Sequence, residues 1–167
     1  MRGMFDFMSV NTIWTIQLIV HGLLAVALLG ALTHQAMAVA VPARQMAGPS
    51  GFVTRFRNVH GASYATAICV LWVLTFILGA WIYTKYRISI RIPLERNGYF
   101  RTLGFFELKE HAAALGLFML PAYWCFWKDE KNPAYDSARK WITVLLAAMC
   151  WFSFLVGHVL NNVRGFG

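Results

Sequence analysis

Charge is what this sequence has least of. Asp, Glu, Lys and Arg make up 13% of its 167 residues, about half of the roughly 25% usual for soluble domains. Acids are the scarcest, 7 against 15 Lys and Arg. None falls in the middle of an apolar run, which argues against a carboxylate-lined cation path and so against a proton or metal-ion transporter. Cysteine is rare too. Cys69, Cys125 and Cys150 all lie inside apolar runs and read as small hydrophobes rather than disulfide partners or metal ligands. No Cys-x-x-Cys-His is present, which excludes covalent c-type haem attachment. There is no internal repeat and no low-complexity tract. A convincing cleavable leader is also missing. The first apolar run begins near Ile13, is long, and has only Ala36-Met37-Ala38 as a weak small-x-small site, so it reads as a membrane span.

What is abundant is apolar residues, 59% of the chain. They gather into four runs, about 12–33, 60–83, 105–127 and 139–160, each near the ~20 residues that cross a bilayer. The expected fold is all-α: one integral membrane domain over 1–167, an up-down four-helix bundle with both termini on one face. The net charge of +8 comes from bases flanking the runs, so it points to lipid headgroups and topology rather than to nucleic acid. Trp81, Tyr83 and Tyr86 form one expected aromatic collar at the lipid–water interface, and Tyr123, Trp124 and Trp127 the other. Residues 36–59, with Pro42, Gly48, Pro49 and Gly51, predict an irregular connection with room for a short surface helix. Arg87-Ile-Ser-Ile-Arg91 alternates like a short extended segment, or forms a basic strip under the bundle. Pro121 should bend the third span. Lys and Arg divide almost evenly between the two faces. The dense cluster after the second span tips orientation toward both termini in the cytoplasm of a bacterial inner membrane.

All five histidines, His21, His34, His60, His111 and His158, lie at or inside apolar runs. Ionisable groups at membrane depth usually face the bundle interior and serve function, and neutral imidazole is a common metal and haem ligand. At about 1.5 Å per residue, His111 lies roughly 5–9 Å and His158 roughly 3–8 Å inside the terminal-side face, with His21 about 12 Å deep. His111 and His158 therefore reach one level on successive antiparallel spans, where a haem could sit between them. His21 is the other candidate axial ligand, a second-shell donor, or part of a quinone pocket with Gln17, four residues earlier on the same face. His34 and His60 pair near the opposite face, either for a second haem or as interfacial residues holding the long connection. Each histidine could instead hydrogen-bond a neighbouring helix.

His111 is followed by Ala112, Ala113, Ala114 and Gly116. Small side chains there leave space for something flat and bulky, or for a neighbouring helix. Glu107, one turn before His111, and Glu110 could carry protons to a quinone, or could simply start the helix favourably against its dipole.

Four spans, histidines near both faces, Lys109-Glu110-His111 opening the third span and Gly157-His158 closing the fourth together resemble a small transmembrane cytochrome b. The arrangement is similar in kind to the four-helix di-haem b subunits of membrane oxidoreductases and to the cytochrome b561 group, over Ile13–Asn162. The resemblance is architectural. It implies one or two b haems, and electron transfer between a quinone pool and a haem-bearing or iron–sulfur partner, as one subunit of a larger respiratory complex rather than an enzyme alone. The competing expectation is a non-redox accessory subunit whose aromatic and small-residue surfaces serve protein and lipid contacts.

Overall fold

The structure is a computed structural model and describes residues 10–40, 51–52 and 61–165. His60, the lead-in over 1–9 and most of the connection before the second span lie outside the described residues. Four long helices dominate: α1 (Val10–Ala40), α2 (Gly61–Ser89), α4 (Phe100–Lys128) and α5 (Asp136–Gly165). The short α3 (Arg91–Arg96) links α2 to α4, and a single 3-10 turn, Pro133–Tyr135, leads into α5. The fold is all-α, a four-helix bundle in which α1, α2 and α5 are long and apolar enough to cross a membrane. The third expected span lies on α4. Its 29 residues suffice in length, but the polar turn Glu107–His111 and the Tyr and Trp near its end dilute its apolarity. Phe118 is 80% exposed and Leu23 67%. Apolar side chains left outside a bundle in this way present a surface to lipid rather than to water.

Every long helix extends past its apolar run. Hydropathy marks the part of a helix that fits hydrocarbon, whereas the backbone hydrogen-bond ladder continues until something stops it. Ala36–Ala40, expected in the connection, belongs to α1 because Ala-Met-Ala-Val-Ala contains strong helix formers and neither Gly nor Pro. Pro121 sits inside an uninterrupted α4. The alternating Arg87–Arg91 segment is helical rather than extended, divided between α2 and α3. Arg91 Nε donates to Glu95 Oε1 at 2.7 Å and its Nη1 lies 3.0 Å from Glu107. That Glu95 bond first, then the Glu107 charge, raise the guanidinium above its usual pKa. α3 stops at Gly98, whose φ is +78°. Gly98 N–H donates to Glu95 O and Tyr99 N–H to Leu94 O, a Schellman closure that needs a left-handed residue. Gly98→Ala should therefore cost roughly 1–2 kcal/mol, read as a shift in the unfolding midpoint in mixed detergent micelles.

The helices form a ring in which α1 and α4 each neighbour α2 and α5, leaving α1 and α4 across one diagonal. Tyr123 on α4 donates to the Gln35 side-chain oxygen on α1 across that diagonal, both side chains being fully buried. The main core gathers Leu32, Ile68, Trp72, Tyr123, Trp127 and Leu146, and a smaller cluster of Tyr86, Leu94, Leu103, Phe106 and Leu160 closes the terminal end.

Two expectations about aromatic residues need correction. Tyr123, Trp127 and Tyr86 are not interface collar residues. Their exposures are 0%, 7% and 2%, because 123 and 127 stand one turn apart on the inward stripe of α4 and Tyr86 faces α4. Trp81, 58% exposed, does fit a collar. Nor is a collar position the whole role of Trp124, which like two other tryptophans also bonds across helices. Trp124 donates to Thr66, Trp127 to Thr143 and Trp151 to Thr33, at 2.9–3.0 Å. Each bond joins a different helix pair and satisfies an indole N–H that hydrocarbon could not.

Arg139, in the first turn of α5, is 6% exposed. It donates to the Phe126, Asp129 and Asn132 carbonyls and to the Asp136 carboxylate. One guanidinium thus caps the end of α4 and anchors the start of α5. Arg139→Met should cost about 2 kcal/mol. A larger loss is not expected, because Asp136 is exposed and would stay hydrated. The check is the same micelle titration, with faster proteolysis between α4 and α5.

Candidate functional site

A cavity of about 490 Å³ lies in the terminal half of the bundle, open on the side of the exposed Ile19, Leu23 and Val26, and all four long helices contribute to its wall. This lies within the roughly 300–1,000 Å³ typical of ligand and cofactor sites. It exists because small residues face one another there: Gly22 on α1, Gly79 on α2, Ala113 on α4 and Gly157 on α5. A second chamber of about 390 Å³ continues toward the terminal face, sharing Leu18, His21, Gly79, Lys109, Gly157 and Asn161 with the first.

His21 and His158 both line the inner cavity. They belong to α1 and α5, which are antiparallel neighbours. The His21 ring lies against Gly79, where an added Cβ would stand 3.1 Å from Cε1. The Thr75 backbone interacts with this ring. His21 Nδ1 is buried with no hydrogen-bond partner among the described residues. The ring thus has backbone on one side and carries a buried nitrogen without a partner among the described residues. His158 approaches the same cavity from an exposed position.

The other expected site residues are dispersed. His111 is on the exposed side of α4, where its Nδ1–H donates to the Glu107 carbonyl at 2.8 Å. It does not line the cavity, so the structure brings His158 together with His21 rather than with His111. His34 Nδ1 lies 3.3 Å from the Tyr64 hydroxyl, which also donates to Ala31 O. Its expected companion, His60, lies outside the described residues. Gln17 has a buried Oε1 without a hydrogen-bond partner among the described residues, one turn from His21 but not in the cavity wall. Glu107 pairs with Arg91. Glu110 pairs with Lys109 at 2.6 Å and lines both chambers. Neither acid starts the helix, because α4 begins at Phe100 and has no acid in its first turn.

The flat group that the small residues of α4 accommodate is part of the chain itself. Trp72 donates its indole N–H to Ala113 O at 3.2 Å, and its ring lies against Gly116. Sequence reasoning missed Trp72, Gly79, Lys85 and Asn161 as cavity or chamber residues. The one available signal was the excess of glycine on the apolar runs. Cys150 lines the cavity as a buried free thiol. Among the described residues, no three His, Cys, Asp or Glu side chains are grouped to hold a metal ion.

No protein-family model matches this chain, and no curated protein or solved structure is similar to it. The fold and cavity define a multi-pass helical membrane protein; any finer assignment rests on the residues themselves.

Proposed function

We propose that this protein is a b-type haem-binding membrane subunit that passes electrons between a quinone pool and a redox partner within a larger complex. One observation carries the reading. Two imidazoles from adjacent helices line a cofactor-sized cavity, and the buried nitrogen of one has no hydrogen-bond partner among the described residues. The residues fit a haem in kind: His21 and His158 would hold its iron, Gly79 seats the His21 ring, and a largely apolar wall would set the dielectric around the group. A bound haem would supply one-electron chemistry; the chain binds it, shields it from water and sets its potential. His34, with His60, remains the candidate for a second haem at the opposite end. Glu110, at the chamber wall, is the residue best placed to exchange protons with a quinone. A bacterial inner membrane with cytoplasmic termini belongs to the same reading.

The test is the visible spectrum of the protein purified in mild detergent, with a pyridine haemochrome assay. A sharp b-type band on dithionite reduction, with one or two haems per chain, is the expected result. A colourless, folded protein that does not take up added haemin would overturn the proposal and favour a non-redox accessory subunit.

A further inference from the structure

The outer chamber differs chemically from the inner one. Lys109, Glu110 and Asn161 line both chambers; the rest of the inner wall is largely apolar, whereas the outer chamber adds Lys85 and Tyr86 toward the terminal face. Lys85 Nζ stands 5.0 Å over the Trp14 ring, and Lys109 Nζ stands 4.2 Å over Phe106 while pairing with Glu110. On the chamber wall two ammonium groups meet one carboxylate, so the lining carries one net positive charge, while Arg91 and Glu107, whose charges also reach Tyr86, pair with each other. Tyr86 is 2% exposed, and its hydroxyl has no hydrogen-bond partner among the described residues. A buried phenol that donates to nothing is unusual and costly. Excess positive charge beside an unused donor suits an anionic oxygen acceptor, because charge-assisted bonds are the strong ones. The chamber opens directly into the cavity that His21 lines.

We propose that the outer chamber is a carboxylate site, in which Lys85, Lys109 and the Tyr86 hydroxyl hold the acidic edge of the inner cavity's occupant and set which way round it lies. This rests on the haem reading, since haem b carries two propionate groups on one edge. The chamber's position then directs those groups toward the terminal face and leaves the apolar edge in the bundle. An anionic lipid headgroup offers similar chemistry, and the experiment separates the two.

The full-length protein, stripped of pigment in zwitterionic detergent, is titrated with haemin and with haemin dimethyl ester, in which both propionates are esterified. Difference spectra give the affinities. The free acid should bind more tightly, on the order of tenfold or more. Lys85→Gln and Tyr86→Phe should each erase most of that preference while leaving ester binding unchanged. Tyr86→Phe is the cleaner variant, because it keeps the ring, removes only a hydroxyl without a hydrogen-bond partner among the described residues, and should not weaken the unloaded fold. Equal binding of acid and ester would overturn the carboxylate site and leave the haem reading standing. Binding of neither would overturn both. A lipid role would show as no acid preference, together with loss of fluorescent phosphatidylglycerol retention in Lys85→Gln, and would also overturn the proposal.

Discussion

Replacing His21 with leucine is expected to lower haem affinity by roughly 100-fold or more, because outer-shell partners of metal-bound histidines alone account for about 10–100-fold. The unloaded protein should lose no more than about 1 kcal/mol, since Nδ1 makes no hydrogen bond among the described residues and only the ring's interaction with the Thr75 backbone is given up. His158→Leu should also lose the six-coordinate b-type spectrum. His111→Leu should keep it, because His111 donates to the Glu107 carbonyl on the exposed side of α4. Reduced-minus-oxidised spectra of the three variants decide the point. Retention of the band in His21→Leu, with its loss in His111→Leu, would assign the ligands to α4 and α5 instead. The logic is geometric: an iron needs two imidazoles facing one space, and the cavity wall contains His21 and His158.

Gly116→Leu should destabilise the bundle by about 3 kcal/mol or more, at the upper end of overpacking costs. This holds even though leucine favours a helix over glycine by nearly 1 kcal/mol. A Cβ at 116 would overlap Trp72 Cζ2 and stand 2.7 Å from Cη2. The indole is rigid, only 4% exposed, and held by its bond to Ala113 O, so it cannot simply swing aside. Its displacement should release that bond, shift the tryptophan emission and alter the wall of the inner cavity, which Trp72 also lines. The companion measurement is Trp72→Ala alone and in combination. If the two side chains compete for one space, the double variant should be more stable than the sum of the single losses by on the order of 1–3 kcal/mol. Simple additivity would show that Gly116 matters for some reason other than the indole.

The helical class was legible because the code for it is local. Runs near 20 apolar residues with flanking bases leave the backbone of a membrane chain few options besides helix, and α1, α2 and α5 follow. Helix ends were less legible, since hydropathy falls before helical hydrogen bonding does. Ala36–Ala40 and the segment from Arg87 to Arg96 lie in helices that the apolar runs did not delimit.

The histidine pairing shows where reading a chain stops. Depth along each helix follows from residue counting, and on that basis His21, His111 and His158 were all eligible. Rotation of α1 and α4 about their axes was not available, because those helices are apolar nearly all round and carry no stripe to orient them, and the polar stripe of α5 had nothing to be set against. The bundle supplied that rotation, turning His21 and His158 toward one cavity and His111 outward.

Composition and the length of the apolar runs alone therefore determined an all-helical membrane chain with imidazoles at bilayer depth. Only tertiary structure decided which of those rings share a cavity, that the space beside Gly116 belongs to Trp72, and that Arg139 joins α4 to α5. The physical reason is that helix formation and partition into lipid depend on neighbours within a few residues. Azimuth and pairing depend instead on side chains 16 to 118 positions apart, as in Trp127 with Thr143 and Trp151 with Thr33.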